Sequence, residues 1–114
     1  MSRHDDSVCI KDMLAHASEA MDLLSDRSRE ALCRDRVIQL ALTRLVEIVG
    51  EAANRVSADG RRRHPEVPWP KIIGMRNRLI HGYDVIDYDL LYNTIRTDLP
   101  PLIQQLRAIV GERR

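Results

Sequence analysis

Arg76, His81 and Tyr83 stand at RxxxxHxY spacing inside the nonapeptide Met75-Arg76-Asn77-Arg78-Leu79-Ile80-His81-Gly82-Tyr83. Arginine stays charged at any working pH, and histidine titrates near neutrality. A fixed cation beside a proton carrier suits phosphodiester chemistry without a metal. The other basic residues are of the same kind, since only Lys11 and Lys71 of the eighteen are lysine. The planar arginine fork matches a phosphate in bidentate fashion, although a GC-rich genome would produce the same bias.

On an ideal helix Ile72, Met75 and Leu79 form an apolar side, while Asn77 and His81, four apart, share the polar one. Asn77 can therefore orient His81. Arg76 and Tyr83 fall on one stripe at the border, so the Arg76 stem is expected to be part-buried and its head to need an anion. A phosphate would serve, and so would a carboxylate such as Glu51. Spacing alone does not choose Arg76 over Arg78 as the partner of His81: Arg78 is nearer, whereas Arg76 and His81 are about 140° apart around the axis. A long side chain, a loosened last turn at Gly82, or a second copy of the motif across a dimer interface would bring them together. Gly74 lies on the polar side and would let another chain approach. At a helix end His81 would also complement the helix dipole.

The elements that carry these residues are legible as helices. Ile10, Met13, Leu14, Ala17, Met21 and Leu24 recur at steps of three and four, with Ser7 as a candidate N-cap. After a break at Ser25 to Arg27, Ser28 can start a brief helical turn. A long helix from about Asp35 to Val56 carries Val37, Ile38, Ala41, Leu45, Ile48, Val49, Ala52 and Val56 on one stripe. Gly50 inside it costs about 1 kcal/mol relative to alanine, which close approach by another helix would explain. Ser57 to Pro68 reads as the longest loop, and its Arg61-Arg62-Arg63-His64 tract either contacts RNA phosphates or is simply solvated. Trp69 or Pro70 opens a third helix running to His81, with Gly82 as C-cap. Asp87 should cap a fourth through Leu90, Leu91, Ile95, Leu99, Ile103, Leu106 and Val110, kinked or split at Pro100-Pro101. The expected architecture is all-α, an up-and-down antiparallel bundle of four main helices in a single domain spanning residues 1–114.

Composition narrows the classes further. Phe is absent and Trp69 is the sole tryptophan, so the core must be aliphatic. The formal net charge of +1 argues against a generic polyanion binder. Cys9 and Cys33 lack metal-like spacing and read as buried reduced thiols. No Glu-x-x-His pair occurs and the four histidines fall on different elements, so no metal site and no cofactor are expected. The polar start and the lack of a long apolar run imply a cytoplasmic protein without membrane contact. A chain of this size would gain useful buried surface by forming a homo-oligomer.

Several motifs in order carry a family resemblance: Ile48-Val49-Gly50-Glu51-Ala52-Ala53, then Pro65-Glu66-Val67-Pro68-Trp69, then Gly74 through Tyr83, then Val85-Ile86-Asp87 and Thr97-Asp98-Leu99-Pro100. The chain resembles the HepT-like minimal toxins of the HEPN (higher eukaryote and prokaryote nucleotide-binding) superfamily. It departs at Leu91 and Tyr92, where many relatives carry an aromatic such as tryptophan. The resemblance implies the toxin of a toxin–antitoxin system, a metal-independent endoribonuclease in which Arg76 and His81 cleave RNA with help from Asn77. It further implies a homodimer whose two motifs share one cleft, and a nucleotidyltransferase antitoxin that adenylylates Tyr83. Arg61, Arg62, Arg63 and Arg78 are further candidates for RNA contact. The competing class is a non-catalytic HEPN module that binds a nucleotide or the partner nucleotidyltransferase.

Overall fold

Ile10, Met13, Ala17, Ala20 and Leu24 are all buried and line one face of the first helix in a computed structural model. It describes residues 3–81 and 85–112, with backbone alone at 3, 4, 81 and 112. Helix α1 spans Arg3–Leu24, so Ser7 lies inside it and does not cap it. Asp5 and Asp6 occupy its first turn, where carboxylates complement the helix dipole. It stops where Ser25 takes a positive φ of 50°.

Ser28 behaves as its type suggests: its Oγ accepts from the Ala31 amide at 3.1 Å and opens α2, Arg29–Arg34. Asp35 then caps α3, Arg36–Arg55, by accepting from the Ile38 amide at 3.1 Å. The buried face of α3 runs through Ile38, Leu42, Leu45, Val46, Val49, Ala53 and Val56. Val37, expected on that stripe, is 73% exposed because it sits about 100° around the helix from Ile38, off the face that meets α1. Gly50 does mark a close approach. A Cβ there would lie 3.1 Å from the Ile72 carbonyl oxygen.

Residues 57–68 are not one open loop. Ser57 Oγ accepts from the Gly60 amide at 3.0 Å and caps a short helix, α4, Ala58–Arg63. Buried Asp6 holds this helix to α1, accepting from the Ser57 amide at 2.8 Å and the Ser57 hydroxyl at 2.6 Å. Gly60 is required there, since a Cβ would come within 2.6 Å of Asp6 Oδ2. Trp69 closes the other end, its indole Nε1 donating to the carbonyls of His64 at 2.9 Å and Arg61 at 3.2 Å.

The expected third helix is divided and shorter. Helix α5 spans Trp69–Ile73 with Pro70 in its first turn, and α6 spans Met75–Leu79. Gly74 stands between them, its own Cβ direction crowded by the Pro70 carbonyl at 3.2 Å. The space beside Gly74 is thus filled by its own chain. The helix ends before His81 because residues 80 and 81 extend as β1 and pair antiparallel with β2, Val85–Ile86. Ile80 faces Ile86 and His81 faces Val85. The Asp87 amide also donates to the Leu79 carbonyl at 2.9 Å, which takes the place of a helical bond. The proposed C-cap Gly82 lies outside the described residues.

Asp87 caps α7, Tyr88–Asn93, by accepting from the Leu90 amide at 3.0 Å. The fourth helix is interrupted as expected, just ahead of its prolines: a π-helical turn at Thr94–Asp98 leads into α8, Leu99–Glu112. Pro100 and Pro101 lack the amides that would bond back to Arg96 and Thr97, and a widened turn absorbs the loss. Helix α1 packs on α3 and α8, and α5 and α6 pack on α3. The fold is all-α apart from the two-residue ladder. Cys9 is buried but Cys33 is exposed, which corrects the reading of both thiols as buried; Cys33 sits on the short α2, whose buried side belongs to Leu32. Among the described residues no helix is long and apolar enough to cross a membrane.

Candidate active site

Met75 and Leu79 anchor α6 in the core, each 1% exposed. That places Arg76 and Asn77 outward, next to each other on the surface. Across from them on α3 stands Glu47, and Arg76 Nε donates to Glu47 Oε2 at 2.8 Å. The Glu47 side chain is only 18% exposed, against 53% for Arg76. A largely buried carboxylate therefore holds one edge of a guanidinium whose remainder faces solvent.

Glu51 was the carboxylate offered, beside a phosphate, as an anion for Arg76. That residue instead pairs with Arg44 at 3.2 Å. Glu47 and Glu51 are four apart on α3 and share a face, so sequence could narrow the partner to that face. The position of α6 along α3 decides between them. Together Glu47, Glu51, Asn54, Arg76 and Asn77 line a shallow groove of about 220 Å³ floored by Gly50 and Ile73. Its two acids are each matched by an arginine, so the groove carries no uncompensated negative charge.

His81 follows two residues after α6, on β1. Asn77 and His81, expected on one helix face, do not share one, because the chain is extended from Ile80. The 140° separation inferred for Arg76 and His81 on an ideal helix lapses for the same reason. Tyr83, the candidate modification site, lies outside the described residues. Arg78 is part-buried, and its guanidinium folds back beside Gly74.

The basic tract is largely engaged by the fold. Arg61 donates to the carbonyls of Val56 at 3.0 Å and Asn54 at 3.1 Å, and Arg63 lies 3.8 Å from Asp6. Arg62 pairs with Asp59 and is 70% exposed. Burial pushes the Asp6 carboxyl up, but the bonds from the Ser57 hydroxyl and amide and the nearby Arg63 charge outweigh it and hold it below its ordinary value. Burial, aided by Asp12 and Asp6, pushes the Cys9 thiol up and keeps it neutral. Among the described residues no group of three or more His, Cys, Asp or Glu is placed to hold a metal ion.

The fold and the groove define a small helical protein that presents an arginine–asparagine pair beside a histidine-bearing strand. The chain belongs to the ribonuclease HepT-like family, which matches residues 13–109. It is 39% identical over 97 residues to a protein of Thermococcus cleftensis provisionally named ribonuclease HepT, covering 81% of this chain and 87% of that one. It is 32% identical to a protein of Methanocaldococcus jannaschii provisionally named an RNase, over 96% of this chain and all of the other. A third relative with such a name, from Caldanaerobacter subterraneus, is 33% identical over 89% of this chain and 94% of its own. No solved structure gives a significant match.

Proposed function

We propose that this protein is a metal-independent endoribonuclease and the toxin of a toxin–antitoxin pair. The observation that carries the reading is the exposed Arg76–Asn77 pair on α6, followed at once by the strand bearing His81, in a chain of the ribonuclease HepT-like family. The ribonuclease names of the relatives support RNA as the substrate.

In the proposed reaction a ribose 2′-hydroxyl loses its proton as its oxygen attacks the adjacent phosphorus, the bond from phosphorus to the 5′-oxygen breaks, and that oxygen gains a proton. The products are a 2′,3′-cyclic phosphate and a 5′-hydroxyl. His81 carries protons, a role that is typically worth ~10²- to 10⁴-fold. Arg76 holds the phosphate and stabilises its developing charge, while Asn77 assists. Two protomers join their motifs in one cleft, so that one His81 acts as base and its partner's copy as acid. Val85, opposite His81 in the ladder, is 60% exposed, which supplies apolar surface for a partner to cover. Arg62 and Arg78 add contacts to the RNA backbone, with Arg61 and Arg63 shaping the same surface. A cognate nucleotidyltransferase silences the enzyme by adenylylating Tyr83, since each AMP adds charge and bulk two residues along the chain from His81.

The Glu47–Arg76 bond is what favours the second reading, a non-catalytic module in which Arg76 is structural. Both are tested by Arg76→Ala, His81→Ala and Arg78→Ala, with RNA cleavage followed in EDTA and folding by thermal melting. The first two should lose at least a hundredfold of activity at unchanged stability, and Arg78→Ala much less. Equal damage from Arg78→Ala, or a requirement for Mg²⁺, refutes the mechanism; a large stability loss in Arg76→Ala with cleavage retained selects the structural reading. AMP mass added by the neighbouring nucleotidyltransferase should map to Tyr83 and be absent from Tyr83→Phe.

A further inference from the structure

A second groove lies on the other side of Glu47, between the first half of α3 and the junction of β2 with α7. It measures about 350 Å³ and is lined by Arg36, Leu40, Arg44, Glu47, Ile86 and Tyr88, among others. That volume is at the small end for ligand sites. Glu47 belongs to the walls of both grooves, so an occupant here sits one side chain away from the guanidinium of Arg76.

The lining defines what fits. Gln39 Nε2 donates to the Leu32 carbonyl at 2.9 Å, and the Thr43 hydroxyl donates to the Gln39 carbonyl at 2.7 Å. One donor of each is thus committed to the fold. The lining is mixed, an apolar and aromatic part formed by Leu40, Ile86 and Tyr88 beside polar groups and two arginines. Leu40 is 54% exposed, Ile86 and Tyr88 are part-buried, and Arg36 Nη1 donates to the Tyr88 hydroxyl at 3.4 Å. A flat ring that stacks on Tyr88 and Leu40, attached to an anionic backbone that meets the arginines, matches this set. That is the description of a nucleotide in a single strand.

We propose that this groove is a nucleobase subsite, seating the base next to the phosphate held by Arg76 and reading the presence of a base more than its identity. The inference deepens the ribonuclease reading and rests on it. Tyr88 is the stacking surface and Leu40 the apolar wall, while Arg36 and Arg44 offer the strand's phosphates the guanidinium edges left over from their bonds to Tyr88 and Glu51.

The test uses the full chain and DNA oligonucleotides carrying one internal ribonucleotide, with an abasic position on its 5′ or its 3′ side. Tyr88→Ala should raise KM about tenfold with little change in kcat, within the range that one stacked base contributes. The abasic oligonucleotide should do the same to the unaltered protein on one of the two sides, and the two changes combined should be no worse than either alone. Tyr88→Phe should behave like the parent, and exchanging the flanking base among the four should shift KM much less than removing it. Leu40→Glu, at an exposed position that does not test the core, gives a second variant with the same expected rise in KM.

Unchanged KM in both variants while Arg76→Ala still stops cleavage overturns the subsite and leaves the ribonuclease reading standing. Abasic and Tyr88→Ala effects that multiply overturn it as well. So does a Tyr88→Ala protein with normal KM but weakened self-association in sedimentation, which makes the groove a protein contact. Undiminished cleavage by Arg76→Ala and His81→Ala defeats the ribonuclease mechanism itself.

Discussion

At the scale of single residues, the bond from Arg76 Nε to Glu47 determines what the guanidinium can still do. With one edge fixed at 2.8 Å, the long side chain loses rotamer freedom before a phosphate arrives, and an ion-assisted bond of this kind is stronger than a neutral one. If Arg76 acts on the transition state, loosening it should appear in kcat more than in KM. Glu47→Ala is therefore expected to lower kcat about tenfold, equivalent to roughly 1.4 kcal/mol. Glu47→Gln keeps an acceptor oxygen and should recover most of that loss. Steady-state kinetics on both variants checks it; an equal loss in the two, or a change confined to KM, removes the positioning role. Nothing in the sequence singled out Glu47 over Glu51, because the two are equivalent on α3 until the depth of α6 is known.

At the scale of elements, apolar spacing was informative and caps were so in part, since Ser7 lies inside α1 and does not cap it. Ser28, Asp35 and Asp87 each accept the amide three residues on, and Ile72, Met75 and Leu79 form the buried side of α5 and α6. Two elements were illegible because their determinants are contacts that helical spacing does not encode, one remote in sequence and one a few residues on. Helix α4 depends on Asp6, fifty-one residues from the Ser57 it binds, and the extension at His81 depends on Val85 and Asp87. Gly50 was legible in kind, as a close contact, though not in its partner. Gly50→Ala gains about 1 kcal/mol of helix propensity but pushes a methyl to 3.1 Å from the backbone of α5. Overpacking of this kind costs roughly 1–3 kcal/mol, and a helix carbonyl anchored by buried Ile72 yields less than a side chain would. The expected net loss is up to about 2 kcal/mol, measurable by urea unfolding; a more stable variant would show that α5 moves freely.

At the scale of the whole molecule, Asp6 ties α1 to α4 with a buried carboxylate held below its ordinary pKa. A depressed folded value means the stabilisation is complete above the unfolded value of about 3.9 and is lost as pH falls through the lower folded value. Urea melts of the parent and Asp6→Asn should differ by a constant amount from pH 7 to about 5, and the gap should narrow below about 4. A gap unchanged at pH 3 would assign the effect to shape and not charge.

That tie is the first link of a continuous mechanical path. Asp6 grips Ser57, α4 ends on carbonyls gripped by Trp69, and Trp69 opens the helix pair that carries Arg76. A change at Asp6 thus acts in two places, at the seam of α1 with α4 and, through Trp69, at the support of the helix pair that carries Arg76.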